Sequence, residues 1–389
     1  MSSKNLLRVS EVAADSAALA NNEVSEMRLR LRVTLPYLVS ALALTGCSLI
    51  STPSATPDAT TRSTPSSTHS PPSKPRGTSS HLNHEHAFDQ LIAQQDRVYR
   101  VIAPLIVKNA VLCKTAARPL LGFTAKNRYS FPAELRDAVA ARMGADEALR
   151  VVQVLDGSGA QRAGVQRGDA LIAIAGKPVP QGPQAETETA RVLAPLLRQT
   201  TEVDVALLRN GQQISLRVAL TTACAFTIDI GNAPHANAYS DGRRIMVTAG
   251  LLAELSDQEL AVILAREIAH NVQQHAAAMQ TRATMAAIID TLLPPSPDLS
   301  GFAGSAGLKP MDEKLDQEAD RIALYMLARA GFDSSIAVAT LDRLAQRYPA
   351  NVLNSYTALH PWTVERQRQM RDTLAEIRKK QAGKKPLVP

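Results

Sequence analysis

The run Arg266-Glu267-Ile268-Ala269-His270 is where residue types and spacing come nearest to chemistry. It differs by one residue from the pattern His-Glu-x-x-His, in which two histidines at i and i+4 share a helix face and bind zinc. The intervening glutamate there handles the proton of an attacking water. Here the first ligand position holds Arg266. A guanidinium stays protonated and offers no acceptor lone pair, so it is not a conventional zinc ligand. Two outcomes stay open: a metal site completed from elsewhere in the chain, or a fixed positive charge standing where the ion would be and pairing with Glu267 or Glu318. His275, five residues beyond His270, lies about 140° away around an ideal helix and is expected to be structural.

The elements that must hold this run are legible. Ser256 followed three residues later by Glu259 forms a capping box, and apolar residues then recur at helical spacing toward His275. A second helix opens with the acidic stretch Leu315-Asp316-Gln317-Glu318-Ala319-Asp320 and closes at Gly331, which suits the helix dipole and a C-cap. Upstream, Leu91, Ile92, Val98, Val101, Ile102, Leu105 and Ile106 predict an amphipathic helix over residues 87–110 that packs on a later domain. Between them the character changes. Strands are predicted from Arg150 and from Asp169 to Gly176, a helix over 186–199, and a hairpin of Thr201–Leu208 and Gln212–Leu220 around Asn210-Gly211.

The run Gly157-Ser-Gly-Ala-Gln-Arg-Ala-Gly164 through Gly168-Asp169 to Gly176-Lys-Pro-Val179 resembles the core of a bacterial PDZ domain, over about 75 residues. Such domains bind extended peptides or C-termini by adding a strand to an exposed edge, so the resemblance implies a protein or peptide partner; a spacer of that shape without a ligand is the alternative. The carboxylate-binding loop is not identifiable from the sequence.

Farther on, Arg266–His270, Asp316–Asp320, Asn237–Gly242, the strand Arg244–Thr248 and His360-Pro-Trp-Thr-Val-Glu-Arg366 follow in an order that resembles the HtpX-like zinc metallopeptidases. These are gluzincins that include the Ste-type CAAX proteases and periplasmic quality-control lipoproteins. The resemblance spans roughly residues 225–375. Carried over by position, it implies Glu267 as general base, His270 and Glu318 as ligands of one zinc ion, Asp320 as the support of His270, and His360 as a group near the reaction. Arg266 is the degenerate ligand position. With His270 and Glu318 alone the set is one short of the usual three protein ligands. The implied function is zinc-dependent cleavage of misfolded or extended envelope proteins with PDZ-assisted recognition. The alternative is an inactive pseudo-peptidase that serves as a peptide-binding or chaperone module. The run Thr284–Leu308 suggests either a lid over the cleft or a plain surface loop.

The fold expected is α+β and multidomain: a mainly helical zincin-like peptidase domain with a small sheet, plus a PDZ-like, β-rich domain. Residues 1–47 form a signal segment, with a start expected at Met27, basic residues Arg28, Arg30 and Arg32, and a short apolar run ending at Leu44-Thr45-Gly46-Cys47. That tetrapeptide resembles a lipobox and implies lipidation of Cys47. Ser48 favours an outer-membrane anchor facing the periplasm. Residues 48–86 are a Ser/Thr/Pro tether whose His69, His81, His84 and His86 read as polar filler or as a metal tract. Then follow an N-terminal helical segment (87–145), the PDZ-like domain (146–222), the metallopeptidase-like domain (223–378) and a basic tail (379–389). With Cys47 lipidated, Cys113 and Cys224 remain as an even pair in an oxidising compartment, where a disulfide is expected and two buried thiols are the alternative. Across 389 residues, 43 Lys plus Arg against 36 Asp plus Glu give a net charge of +7 that leans on the two ends. That does not draw a nucleic-acid-binding face, and no nucleic-acid partner is expected.

Overall fold

The computed structural model describes residues 77–144, 147–278 and 310–389. The signal segment, Cys47, the tether up to residue 76 and the Thr284–Leu308 run lie outside them. The longer helices are α1 (Gly77–Lys108), α2 (Ala185–Gln199), α3 (Asp257–Val272), α4 (Glu313–Ala330), α5 (Ala337–Arg347) and α6 (Val364–Ala382). The strands are β1 (Ala117–Leu120), β2 (Phe123–Lys126), β3 (Arg150–Val154), β4 (Ala170–Ile174), β5 (Lys177–Pro178), β6 (Glu202–Arg209), β7 (Gln212–Ala219), β8 (Thr221–Cys224), β9 (Thr227–Gly231), β10 (Ala238–Ser240) and β11 (Arg244–Thr248).

Two sheets define two modules. One runs β2-β3-β4-β6-β7 with β5 on β4, and its core gathers Leu149, Val151, Leu171, Ile174, Val205, Leu207 and Val218. The β6–β7 hairpin turns on Asn210 (φ 50°) and Gly211 (φ 78°), the two positive φ values that a two-residue turn needs. This module starts earlier than the boundary at 146 implied by the sequence. β2 pairs with β3 through Phe123↔Val154 and Lys126↔Arg150, and Leu121 is buried in the same core.

The other module is mainly helical. Its small sheet runs β10-β11-β9, with β10 antiparallel and β9 parallel to β11. Residues of α1 (Ile102, Leu105), α3 (Leu260, Ile263, Leu264), α4 (Leu324, Leu327) and β11 (Ile245, Val247) share one core. Helix α1 therefore packs on the later domain, and it begins at Gly77, inside the stretch expected as tether. Its end is tied to α4 by Asn109, whose Nδ2 donates to Leu105 O (2.9 Å) and Met326 O (3.0 Å). The chain leaves this module and returns through the antiparallel pair β1–β8, where Cys113 and Cys224 form a disulfide with Cα atoms 5.5 Å apart. The basic tail is not all tail: α6 continues to Ala382, and Lys380 Nζ donates to Tyr325 and to Val388 O. Among the described residues no helix is long and apolar enough to cross a membrane.

Candidate functional site

Helix α3 starts as its sequence dictates. Ser256 caps the Glu259 amide and Glu259 returns a bond to the Ser256 amide (2.9 Å), while Arg343 of α5 holds the same carboxylate. The helix ends at Val272. Gln274 takes φ 59° and His275 opens a separate short helix, His275–Ala278, so the continuous helix to His275 expected above is broken. The break swings His275 back until its Nδ1 lies 2.9 Å from His270 Nδ1. Asn271 joins α3 to the β10–β11 turn by accepting from Gly242 N (2.5 Å) and donating to Arg244 O (3.0 Å).

Arg266, Glu267 and His270 face α4 and the segment 355–366, fully buried. Arg266 donates from Nη2 to Asp316 Oδ1 (2.9 Å), from Nε to Asp320 Oδ1 (2.6 Å) and from Nη1 to the Tyr356 hydroxyl, with its guanidinium 5.2 Å from the Tyr356 ring centroid. Tyr356 passes a hydrogen bond on to Glu267 Oε1 (3.0 Å). Arg366 of α6 closes the other side: Nε and Nη2 meet Asp320 at 2.9 and 3.0 Å, and Nη1 meets Asp316 Oδ2 at 3.2 Å and Pro361 O at 2.7 Å. His360 Nδ1 donates to Asp316 Oδ1 (2.7 Å), which orients its Nε2 toward Glu267 Oε1 at 3.8 Å. His270 Nε2 lies 3.3 Å from that same Asp316 oxygen. The short helix Tyr356–Leu359, capped by Ser355, sets Tyr356 and His360 one turn apart.

The electrostatics follow from burial and these neighbours. Burial opposes the Arg266 charge, but Tyr356 and the carboxylates of Asp320, Asp316 and Glu267 outweigh it and hold the guanidinium more firmly protonated than in water. Burial would also raise Asp316, yet His360, His270 and Arg366 keep it well below the usual carboxylate range. For His270 burial wins, pushing it below its ordinary value and favouring the neutral ring. Tyr356 is pushed well up by burial, so it stays a phenol able to donate.

Of the residues predicted to work together, Glu267, His270, His360 and Asp320 are gathered here. Glu318 is not. It lies half-exposed, accepting from Gln273 and standing 3.4 Å from His275 Nε2. Two residues along a helix is about 200° of rotation, so when Asp316 and Asp320, at i and i+4, enter the centre, the residue between them is turned out of it, toward Gln273 and His275 beyond the end of α3. Asp316 takes the place expected of Glu318. Asp320 in turn serves Arg266 and Arg366 rather than His270, and Arg266 pairs with the two aspartates rather than with Glu267 or Glu318. The sequence reading missed Asp316, Tyr356 and Arg366. The i,i+4 spacing of the two aspartates was the available signal for the first.

His270, Asp316 and His360 each offer a ligand atom, and these atoms lie within 4.8 Å of one another. Two imidazoles and a carboxylate are a zinc-like donor set, and Glu267 Oε2, His270 Nε2 and His360 Nε2 are buried without a hydrogen bond within the protein. The carboxylate, however, is committed. Asp316 Oδ1 already accepts from Arg266 and His360, and Oδ2 accepts from Arg366. A divalent ion on that oxygen would meet a buried guanidinium sharing it. With Arg266 in place the residues do not fit a three-ligand zinc site.

Comparison with known proteins places this region. Residues 212–374 match Peptidase family M48. The mitochondrial metalloendopeptidase OMA1 of Arabidopsis thaliana is 31% identical over 164 residues, covering 39% of this chain and 34% of that protein. The beta-barrel assembly-enhancing protease of Yersinia pestis is 30% identical over 128 residues, covering 29% of this chain and 26% of that protein. The chain thus spans about a quarter to a third of the length of these relatives. Among solved structures, the HtrA3 PDZ domain bound to a phage-derived ligand matches at 17% identity with TM-score 0.21, covering 27% of this chain and 88% of that one. The match of residues 212–374 to Peptidase family M48 implies a metal, typically zinc, and Arg266 departs from that family's pattern at the first ligand position.

Proposed function

We propose that the protein binds extended or misfolded polypeptide in the cell envelope, held to the membrane through Cys47, on a peptidase-type scaffold that does not cut what it binds. The observation that carries this is a cavity of about 970 Å³ between the two modules. It is lined by β2 and by Leu193 and Leu197 of α2 on one side, by β9 on the other, and by Leu91 and Val98 of α1. Each of β2 and β9 ends its sheet, so among the described residues each has a strand neighbour on one side only. An extended chain satisfies both needs of such a place, backbone pairing along a strand edge and apolar side chains against the walls.

A second reading is favoured by the convergence of His270, Asp316 and His360 beside Glu267: a zinc endopeptidase with Glu267 as general base. One experiment separates the two. The full chain is incubated with reduced, fluorescein-labelled casein, and complex formation is read by anisotropy and cleavage by gel, for the native protein and for Glu267→Gln. Binding without cleavage in both proteins supports the first reading. Cleavage abolished by Glu267→Gln supports the second and overturns the first.

A further inference from the structure

We infer that Arg266 stands in for the metal ion, so that this M48-type domain is held together by a cluster of two arginines and two aspartates and folds without metal. This goes beyond the polypeptide-binding reading and does not depend on it. In a zinc site on such a helix pair the cation joins α3 to α4. Here the join is made by the side chain one turn before His270. Its Nε and Nη2 reach Asp320 and Asp316, which share the facing side of α4. Arg366 meets the same two carboxylates from α6. Each carboxylate therefore has both guanidiniums as partners, and two positive charges face two negative ones with all four side chains almost wholly excluded from solvent. Burying that many charges is tolerable only when they are mutually paired and hydrogen-bonded, and here they are.

The cluster also accounts for the neighbours a cation would otherwise organise. Through Tyr356, Arg266 fixes one oxygen of Glu267, and through Asp316 it shares an acceptor with His360. Replacing Arg266 by an imidazole would set a second ring one turn before His270 and relieve Asp316 of one cationic partner.

The test uses the full chain, with zinc content read by elemental analysis and unfolding temperature read with and without EDTA. The native protein is expected to carry under a tenth of an equivalent of zinc after equilibration with the free ion, and to melt at the same temperature with chelator. Arg266→His is expected to take up about one equivalent and to lose several degrees of its melting temperature to EDTA. Near-stoichiometric zinc in the native protein with a chelator-sensitive melt overturns the inference, as does an Arg266→His protein that folds and binds none. Should that variant not fold, a double-mutant cycle decides. Arg266→Met is expected to lower the melting temperature by roughly 10 °C, and adding Asp316→Asn to restore part of it by rebalancing charge. Purely additive losses would mean that the four side chains do not act as one cluster.

Discussion

Two polar demands are met in opposite ways in this protein. Between α3 and α4 every buried charge of the arginine–aspartate cluster finds an internal partner, and the first ligand position of the zinc pattern is taken by an arginine bonded to two of them. Between β2 and β9 the backbone edges of two sheets border an apolar cavity, and nothing in the described residues adds a strand to either. The first region spends its chemistry on holding helices together; the second leaves its chemistry available. A match to a peptidase family therefore says less about cleavage than about which surfaces the matched region offers.

The closed helix pair depends most on Arg266. Arg266→Met is expected to cost about 3–5 kcal/mol in denaturant unfolding, because it leaves two buried aspartates with one cation. A loss below about 1 kcal/mol would mean that the cluster is not what joins the helices. Next in size is Tyr356→Phe. Removing the hydroxyl takes away an acceptor from Arg266 and a donor from Glu267, both buried, for an expected loss of about 1–3 kcal/mol. The same variant leaves the β2–β9 cavity untouched, so polypeptide binding at a temperature where the variant is folded should equal that of the native chain.

Much of this was readable from residues. The capping box fixed the start of α3, Asn210-Gly211 the hairpin, and the helical spacing of Val98, Val101, Ile102 and Leu105 the packing face of α1. The failures have physical causes. Asp316 and Glu318 are equally acidic and two residues apart, so only the rotation of α4 against α3 decides which enters the centre, and that rotation is set by packing. The end of α3 was hidden because Gln274 takes a positive φ without the glycine or asparagine that usually announces one. β2 is four residues long and finds its partner β3 across a stretch of helix, which leaves no local signature of pairing. Arg266 is legible as a lost ligand or as a fixed charge paired with Glu267 or Glu318; that its partners are Asp316 and Asp320 depends on the same rotation of α4.

The cavity side of the comparison is sharpened by Leu193→Asp. Leu193 is half-buried on α2, packs on the core of its module and faces the cavity, so a carboxylate there should cost about 1–3 kcal/mol of stability and, where the variant is folded, weaken binding of unfolded casein about tenfold, close to 1.4 kcal/mol. Equal binding by the variant would move the polypeptide site elsewhere on the molecule.

The smallest effect is expected where the family resemblance had pointed most directly. Glu318→Ala removes a half-exposed carboxylate whose contacts, Gln273 and His275, lie at the rim of the helix pair. Solvent screens both, so unfolding should shift by no more than about 0.5 kcal/mol. In the Arg266→His background the same substitution should leave zinc uptake at about one equivalent, while Asp316→Asn abolishes it. The contrast follows from helix phase, since Asp316 faces His270 and His360 whereas Glu318, two positions on, is turned to Gln273 and His275. Loss of zinc with Glu318→Ala and not with Asp316→Asn would require α4 to rotate by more than half a turn when metal binds, and the cluster around Arg366 would then have to come apart.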